Sequence, residues 1–91
     1  MTDQYTARAG EWDEVPWKIE LAQDAYTAIC ARVKIRPEAR LIDFGGGTGL
    51  LTLKFIPRVS KITVVDTSAA MLGVLREKIE IQKLPNIEIV T

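Results

Sequence analysis

Leu41-Ile42-Asp43-Phe44-Gly45-Gly46-Gly47-Thr48-Gly49-Leu50-Leu51-Thr52-Leu53-Lys54-Phe55-Ile56 is the stretch that decides the fold. A short run, mostly apolar, stops at a cluster of glycines and is followed by a second apolar run that Pro57 is expected to end. The pattern reads as strand, glycine loop, short helix. Downstream, Ile62-Thr63-Val64-Val65 is β-branched throughout and reads as a second strand ending at Asp66. Thr67 or Ser68 is placed to cap a helix whose apolar residues Met71, Leu72, Leu75 and Ile79 share one face. Pro85-Asn86 then makes a turn into a third strand at Ile87-Glu88-Ile89-Val90.

Upstream, Pro16 suits a first helical turn. From Ile19 the apolar positions Ala22, Tyr26, Ile29 and Val33 recur every three or four residues, flanked by Ala25 and Cys30. They predict an amphipathic helix over residues 16–34, with cations at its end where the helix dipole favours them and Pro37 beyond it. Residues 1–14 are polar and read as an arm or cover, mobile over 1–9, with Tyr5 and Trp12 as its large apolar groups. Residues 15–91 form the domain proper.

The order αβαβαβ has crossovers long enough to force parallel pairing, so the fold class is α/β. Right-handed crossovers give a doubly wound, Rossmann-like parallel sheet of order 3-2-1. The first strand then lies at an open edge. Leu41, Ile42 and Phe44 nevertheless read as buried on both faces, and an apolar open edge invites pairing. The chain is therefore expected to be the first half of a larger fold, cut at its third strand, and self-association through the open edge is the expected consequence.

Composition removes many functions. Ninety-one residues make one small domain, which buries roughly 60–65% of its unfolded surface. Lys and Arg number 12, as do Asp and Glu, and this even balance argues against a nucleic-acid footprint or an anionic membrane surface. Cys30 is the single cysteine, so a reducing, cytoplasmic setting is the expectation. With no His, the sequence can hold neither a His-based triad nor an imidazole metal site, and no metal ligands are assigned. No apolar run approaches the ~20 residues of a membrane span, and the polar start is unlike a signal peptide.

Three ligand chemistries compete for the glycine loop. A phosphate-binding P-loop needs Gly-Lys-Ser/Thr after four intervening residues, and no Lys follows the glycines until Lys54. The dinucleotide fingerprint G-x-G-x-x-G/A fails in both registers, at Leu50 and at Thr52. Asp43 also disfavours a pyrophosphate beside the loop. An acid there suits a ligand that is cationic where it meets the loop.

Asp43-x-Gly45-x-Gly47-x-Gly49 resembles the acidic-x-G-x-G-x-G motif of class I S-adenosylmethionine (SAM)-dependent methyltransferases, and the segment from Val65 to Leu72 resembles their second-strand segment. Asp66 follows Gly45 by 21 residues, and this pairing is far more specific than either motif alone. The likeness runs from Trp12 to Val90 and covers about the first half of the family's fold. It implies a SAM/SAH cofactor, where SAH is S-adenosylhomocysteine. Gly45 and Gly47 would pass under its methionine part, Asp43 would hold its ammonium, and Asp66 would accept bonds from the two ribose hydroxyls. Thr67 and Met71 would lie beside ribose and adenine. Gly46 departs from the pattern, where Cys or Ser is commoner. Trp12, Trp17 and Tyr5 resemble the N-terminal cover that many of these enzymes fold over the pocket.

Each assignment has a plainer competitor. Asp66 can be a turn or capping acid, Asp43 can stiffen the loop by bonding its amides, Met71 can be core, and the aromatics can be packing groups. Cys30 is expected in the core, and Arg32, Lys34, Arg36 and Arg40 as a solvated helix end. The resemblance implies an enzyme that moves a methyl group from SAM to a small-molecule acceptor, whose site would lie beyond the fourth strand. No catalytic residue is therefore assigned in these 91 residues, and the chain alone is expected to be inactive. The alternatives are a non-catalytic module that completes its sheet with another chain and, weakly, a nicotinamide-dependent oxidoreductase. Neither a nucleic acid nor a membrane is expected as a partner.

Overall fold

The structure is a computed structural model that describes residues 10–91. Tyr5 and the expected mobile arm over 1–9 lie outside the described residues. A 3₁₀ turn at Trp12–Glu14 leads into helix α1 (Pro16–Arg32), followed by strand β1 (Arg40–Phe44), a 3₁₀ helix (Thr52–Arg58), strand β2 (Lys61–Val65), helix α2 (Ala69–Gln82) and strand β3 (Ile87–Val90). The three strands are parallel in the order β1-β2-β3, the expected 3-2-1 arrangement.

The register aligns Leu41, Ile62 and Ile87 in one row, and Asp43, Val64 and Ile89 in the next. On this face Ile62 and Val64 are fully buried against Leu72 and Leu75 of α2 and Phe55 and Val59 of the 3₁₀ segment. Tyr26 of α1 meets Phe55 edge-on, with ring centroids 4.9 Å apart, and also accepts a hydrogen bond from Arg58 at 3.2 Å. Helices α1 and α2 and the 3₁₀ helix at Thr52–Arg58 thus pack on one face of the sheet, and two well-made ends fix the α-helices. Pro16 opens α1 at a position where its missing N–H costs nothing. The Ser68 side chain caps α2, its hydroxyl oxygen accepting the Met71 N–H at 3.2 Å.

Several expectations need correction. Ile42 and Phe44 are not buried: they are 59% and 78% exposed, together with half-exposed Val90, on the other sheet face. Among the described residues no element covers that face, so strand apolarity alone could not bury them. Helix α1 stops at Arg32, two residues short of the expected end, and buries only Ala22, while Ile19 and Val33 stay largely exposed. Cys30 is half-buried at the core margin.

The element after the glycine loop is a 3₁₀ helix containing Pro57, not a helix that Pro57 ends. Proline's fixed φ suits helical backbone, and in so short an element it removes few bonds. The carbonyls around it find another donor, because the Asn86 amide nitrogen donates to Ile56 O and Val59 O at 3.0 Å each.

Candidate cofactor site

A cleft of about 300 Å³, at the small end for ligand sites, opens at the C-terminal ends of β1 and β2. Its walls are Trp12, Gly45, Gly46, Gly47, Asp66, Thr67, Ser68 and Met71. Ligands of open α/β sheets sit in such crevices. Asp66 is the one carboxylate in this lining, and none of these residues is basic.

The loop owes its shape to its glycines. Gly45, Gly47 and Gly49 have φ of +76°, +58° and +82°, the left-handed region that side chains other than glycine's rarely adopt. Gly46 has an ordinary φ but a tight setting. A Cβ there would stand 2.8 Å from Val64 Cγ1 and 3.0 Å from Asp43 Oδ2, so the residue that departs from the family pattern is the one that fits this packing.

Both carboxylate oxygens of Asp66 accept backbone N–H groups, one from the glycine loop and one from the cap of α2. Its Oδ2 accepts the Gly47 N–H at 2.8 Å and its Oδ1 accepts the Ser68 N–H at 2.8 Å. The second bond is the turn-type contact weighed above, and it leads into the capped end of α2, whose dipole favours a carboxylate. The first bond clamps the glycine loop to β2 across 19 residues of chain. Each carboxylate oxygen has two acceptor sites, so one on each oxygen is left for a ligand. This matches a vicinal diol, and the bare Gly45–Gly47 backbone leaves the approach open. The residues present therefore fit the adenosyl cofactor that the motif implies.

Six of the eight expected site residues meet at this cleft: Gly45, Gly46, Gly47, Asp66, Thr67 and Met71. Met71 serves as core as well, being 4% exposed. Gly49 lies behind the loop against Leu75 and Leu53. Asp43 also lies behind it. Its Oδ2 accepts a short hydrogen bond from the buried Thr52 hydroxyl, and it borders a separate apolar cleft with Leu41, Leu51 and Phe55. This placement suits stiffening of the loop from below, through a side chain rather than through loop amides.

Sequence reasoning missed three residues that the site uses. Thr52, the partner of Asp43, gave no signal as a polar residue in a mostly apolar run. Asp13 and Lys78, which grip the loop at Thr48, are remote from each other in sequence. Ser68 could be expected as a cap, and it also forms part of the cleft wall. Trp12 stands at the cleft as the cover resemblance suggested, whereas Trp17 is 62% exposed and does not line it.

Among the described residues no group of acidic or cysteine side chains is arranged to hold a metal, and no helix is long and apolar enough to cross a membrane.

Comparison with known proteins accords with this geometry. The profile of the family described as "methyltransferase domain" matches residues 41–91, more than half of the chain. No match is found among curated proteins. Among solved structures, a protein from Methanococcus maripaludis described as an S-adenosyl-L-methionine-dependent methyltransferase superposes with a TM-score of 0.78 at 23% identity, over 100% of this chain and 43% of that one. DhpI, solved with SAM and HEP, is 27% identical with a TM-score of 0.71, over 96% of this chain and 38% of its own. Coclaurine N-methyltransferase, solved with N-methylheliamine and SAH, is 24% identical with a TM-score of 0.65, over 78% of this chain and 22% of its own. The chain thus spans less than half the length of these structures. With the strand-loop-strand site, the sheet order and the family match in agreement, the chain belongs to the methyltransferase-domain family, of the class I SAM-dependent type.

Proposed function

We propose that this chain supplies the cofactor half-site of a methyltransferase that takes a methyl group from SAM to a small-molecule acceptor. The observation that carries the reading is the Asp66–Gly47 bond. The loop amide that could have met a phosphate is already occupied by a carboxylate, in a cleft whose lining includes no lysine or arginine. That environment is poor for a dinucleotide pyrophosphate and good for a ligand that is cationic and carries a ribose diol.

When bound, SAM supplies a methyl group on a sulfonium, an electrophile with a good leaving group. The work left to the protein is alignment and exclusion of water. Asp66 would fix the ribose through its two remaining acceptor sites, and Met71 would give the ring system an adaptable apolar wall. Thr67 would flank the ribose. Gly45 and Gly47 would let the methionine part lie against backbone, and Asp43, braced by Thr52, would hold the loop in shape while adding negative charge beneath it. None of these groups needs to move a proton, and a general base is required only if the acceptor loses one on the path.

Calorimetric titration with SAH tests this reading, with NAD as the control ligand. SAH binding by the parent chain should weaken by at least about 100-fold in Asp66→Ala, from the loss of two charge-assisted bonds each contributing about 1.5–3 kcal/mol. Equal affinity of parent and variant contradicts it.

A second reading, a module that pairs its sheet with another chain, draws on the exposure of Ile42 and Phe44 at the β1 edge. Sedimentation as a monomer at all concentrations would count against it.

A further inference from the structure

We propose that Asp13 and Lys78 form a polar latch that holds Trp12 over the cofactor cleft, which makes them positioning residues for cofactor binding. The proposal rests on the cleft being a cofactor site, as argued above. Asp13 uses both carboxylate oxygens: Oδ1 accepts the Thr48 hydroxyl at 2.5 Å, and Oδ2 pairs with the Lys78 ammonium. Lys78 closes the triangle by donating to the Thr48 carbonyl oxygen at 2.8 Å. The three groups come from the turn before α1, the glycine loop and the middle of α2. Thr48 is 1% exposed, and the Asp13 and Lys78 side chains are 26% and 22% exposed, so the triangle is largely shielded from water. Shielding strengthens such a pair and makes loss of one partner costly.

The position of the triangle gives it a task. Thr48 follows Gly47, whose N–H is held by Asp66, so the latch grips the loop one residue from the site's own clamp. Asp13 follows Trp12, which forms a wall of the cleft. The turn Trp12–Glu14 buries none of its residues fully, Trp12 being half-buried, so polar contacts share in holding it down. The Lys18 ammonium of α1 also lies 3.0 Å from the Trp12 ring centroid, a contact within the N-terminal segment rather than to the loop. The latch joins that segment to the loop and to α2. A ligand that touches both Trp12 and the loop binds the latched arrangement better than one with the turn released, so weakening the latch reduces its apparent affinity.

The test uses the full 91-residue chain carrying Trp17→Phe, which leaves Trp12 as the only indole. Acrylamide quenching of Trp12 fluorescence reports the latch without ligand, and SAH titration reports its consequence. Lys78→Met is expected to raise quenching and weaken SAH about tenfold, Lys78→Arg to restore most of both, and Asp13→Asn to act in the same direction. The double variant Asp13→Asn/Lys78→Met should be no worse than Lys78→Met alone, as expected for one shared interaction. Circular dichroism checks that each variant is folded, and Asp13→Asn, nearly isosteric and outside the sheet and the α-helices, carries the test if Lys78→Met is not. Unchanged Trp12 quenching in folded variants overturns the latch. Raised quenching with SAH affinity equal to the parent's overturns its positioning role. A parent chain that fails to bind SAH overturns that role too, through the cofactor reading on which it rests, and raised quenching in the variants then still supports the contact itself.

Discussion

Asp66 Oδ2 accepts the Gly47 N–H at 2.8 Å, so the acid at the end of β2 is built into the glycine loop rather than set across from it. The two halves of the motif are one structural unit, and ligand chemistry and loop shape cannot be varied separately. An acid at this place is at once a brace and a binding group. The same economy applies behind the loop, where Asp43 and Thr52 hold β1 to the start of the 3₁₀ helix.

Gly46 should tolerate no side chain while Val64 is present. Gly46→Ala brings a Cβ to 2.8 Å from Val64 Cγ1, a branched side chain with no exposed surface to retreat to. The expected loss of stability is about 1–3 kcal/mol, the usual cost of overpacking. Urea unfolding measures it, and Val64→Ala in the same chain should return part of the loss. Equal midpoints for parent and Gly46→Ala would show that the loop shifts freely.

Thr52→Val keeps the shape of a buried side chain and removes the one hydroxyl that the Asp43 carboxylate accepts from. A polar group left with less than its share of bonds costs about 1–3 kcal/mol, which should appear as a lower urea midpoint. Thr52→Ser, which keeps the hydroxyl, should lose less. A Val variant as stable as the parent would remove Asp43–Thr52 as a brace.

The solvent face of the sheet gives a pH effect. The Thr63 hydroxyl and then the Lys61 ammonium hold the Glu88 carboxyl below its ordinary value of 4.5, with Thr63 at 2.9 Å and Lys61 at 3.2 Å. A lowered value in the folded chain means stability that is fully present above the ordinary carboxylate value and lost as pH falls through the lowered one. Thermal unfolding of the parent and of Glu88→Gln should therefore differ near neutral pH, with the difference vanishing in acid. The effect is small because the pair is exposed. A gap that grows on acidification would contradict the assignment.

What could be read in the sequence was what depends on near neighbours. The β-branched run before Asp66, the glycines after Asp43 and the Ser68 cap each express backbone preferences over a few residues, and each appears where expected. The sheet order followed from crossover handedness. Less accessible were features set by distant partners. Asp13 and Lys78 meet through Thr48, and neither residue type nor spacing announces such a triangle. Pro57 was expected to break a helix because the donor that serves its neighbours' carbonyls, Asn86, lies on the approach to β3. The apolarity of Ile42 and Phe44 announces a preference for burial, but burial needs a covering element, and none of the described ones lies on that face.

Whether the loop and Asp66 form a SAM site is decided by an amide NMR titration of the chain with SAH, with NAD as control. A SAM site there gives a dispersed spectrum in which Gly45, Gly47, Asp66 and Ser68 shift with SAH and stay still with NAD. A dispersed spectrum in which these amides ignore SAH, or answer NAD equally, would contradict it.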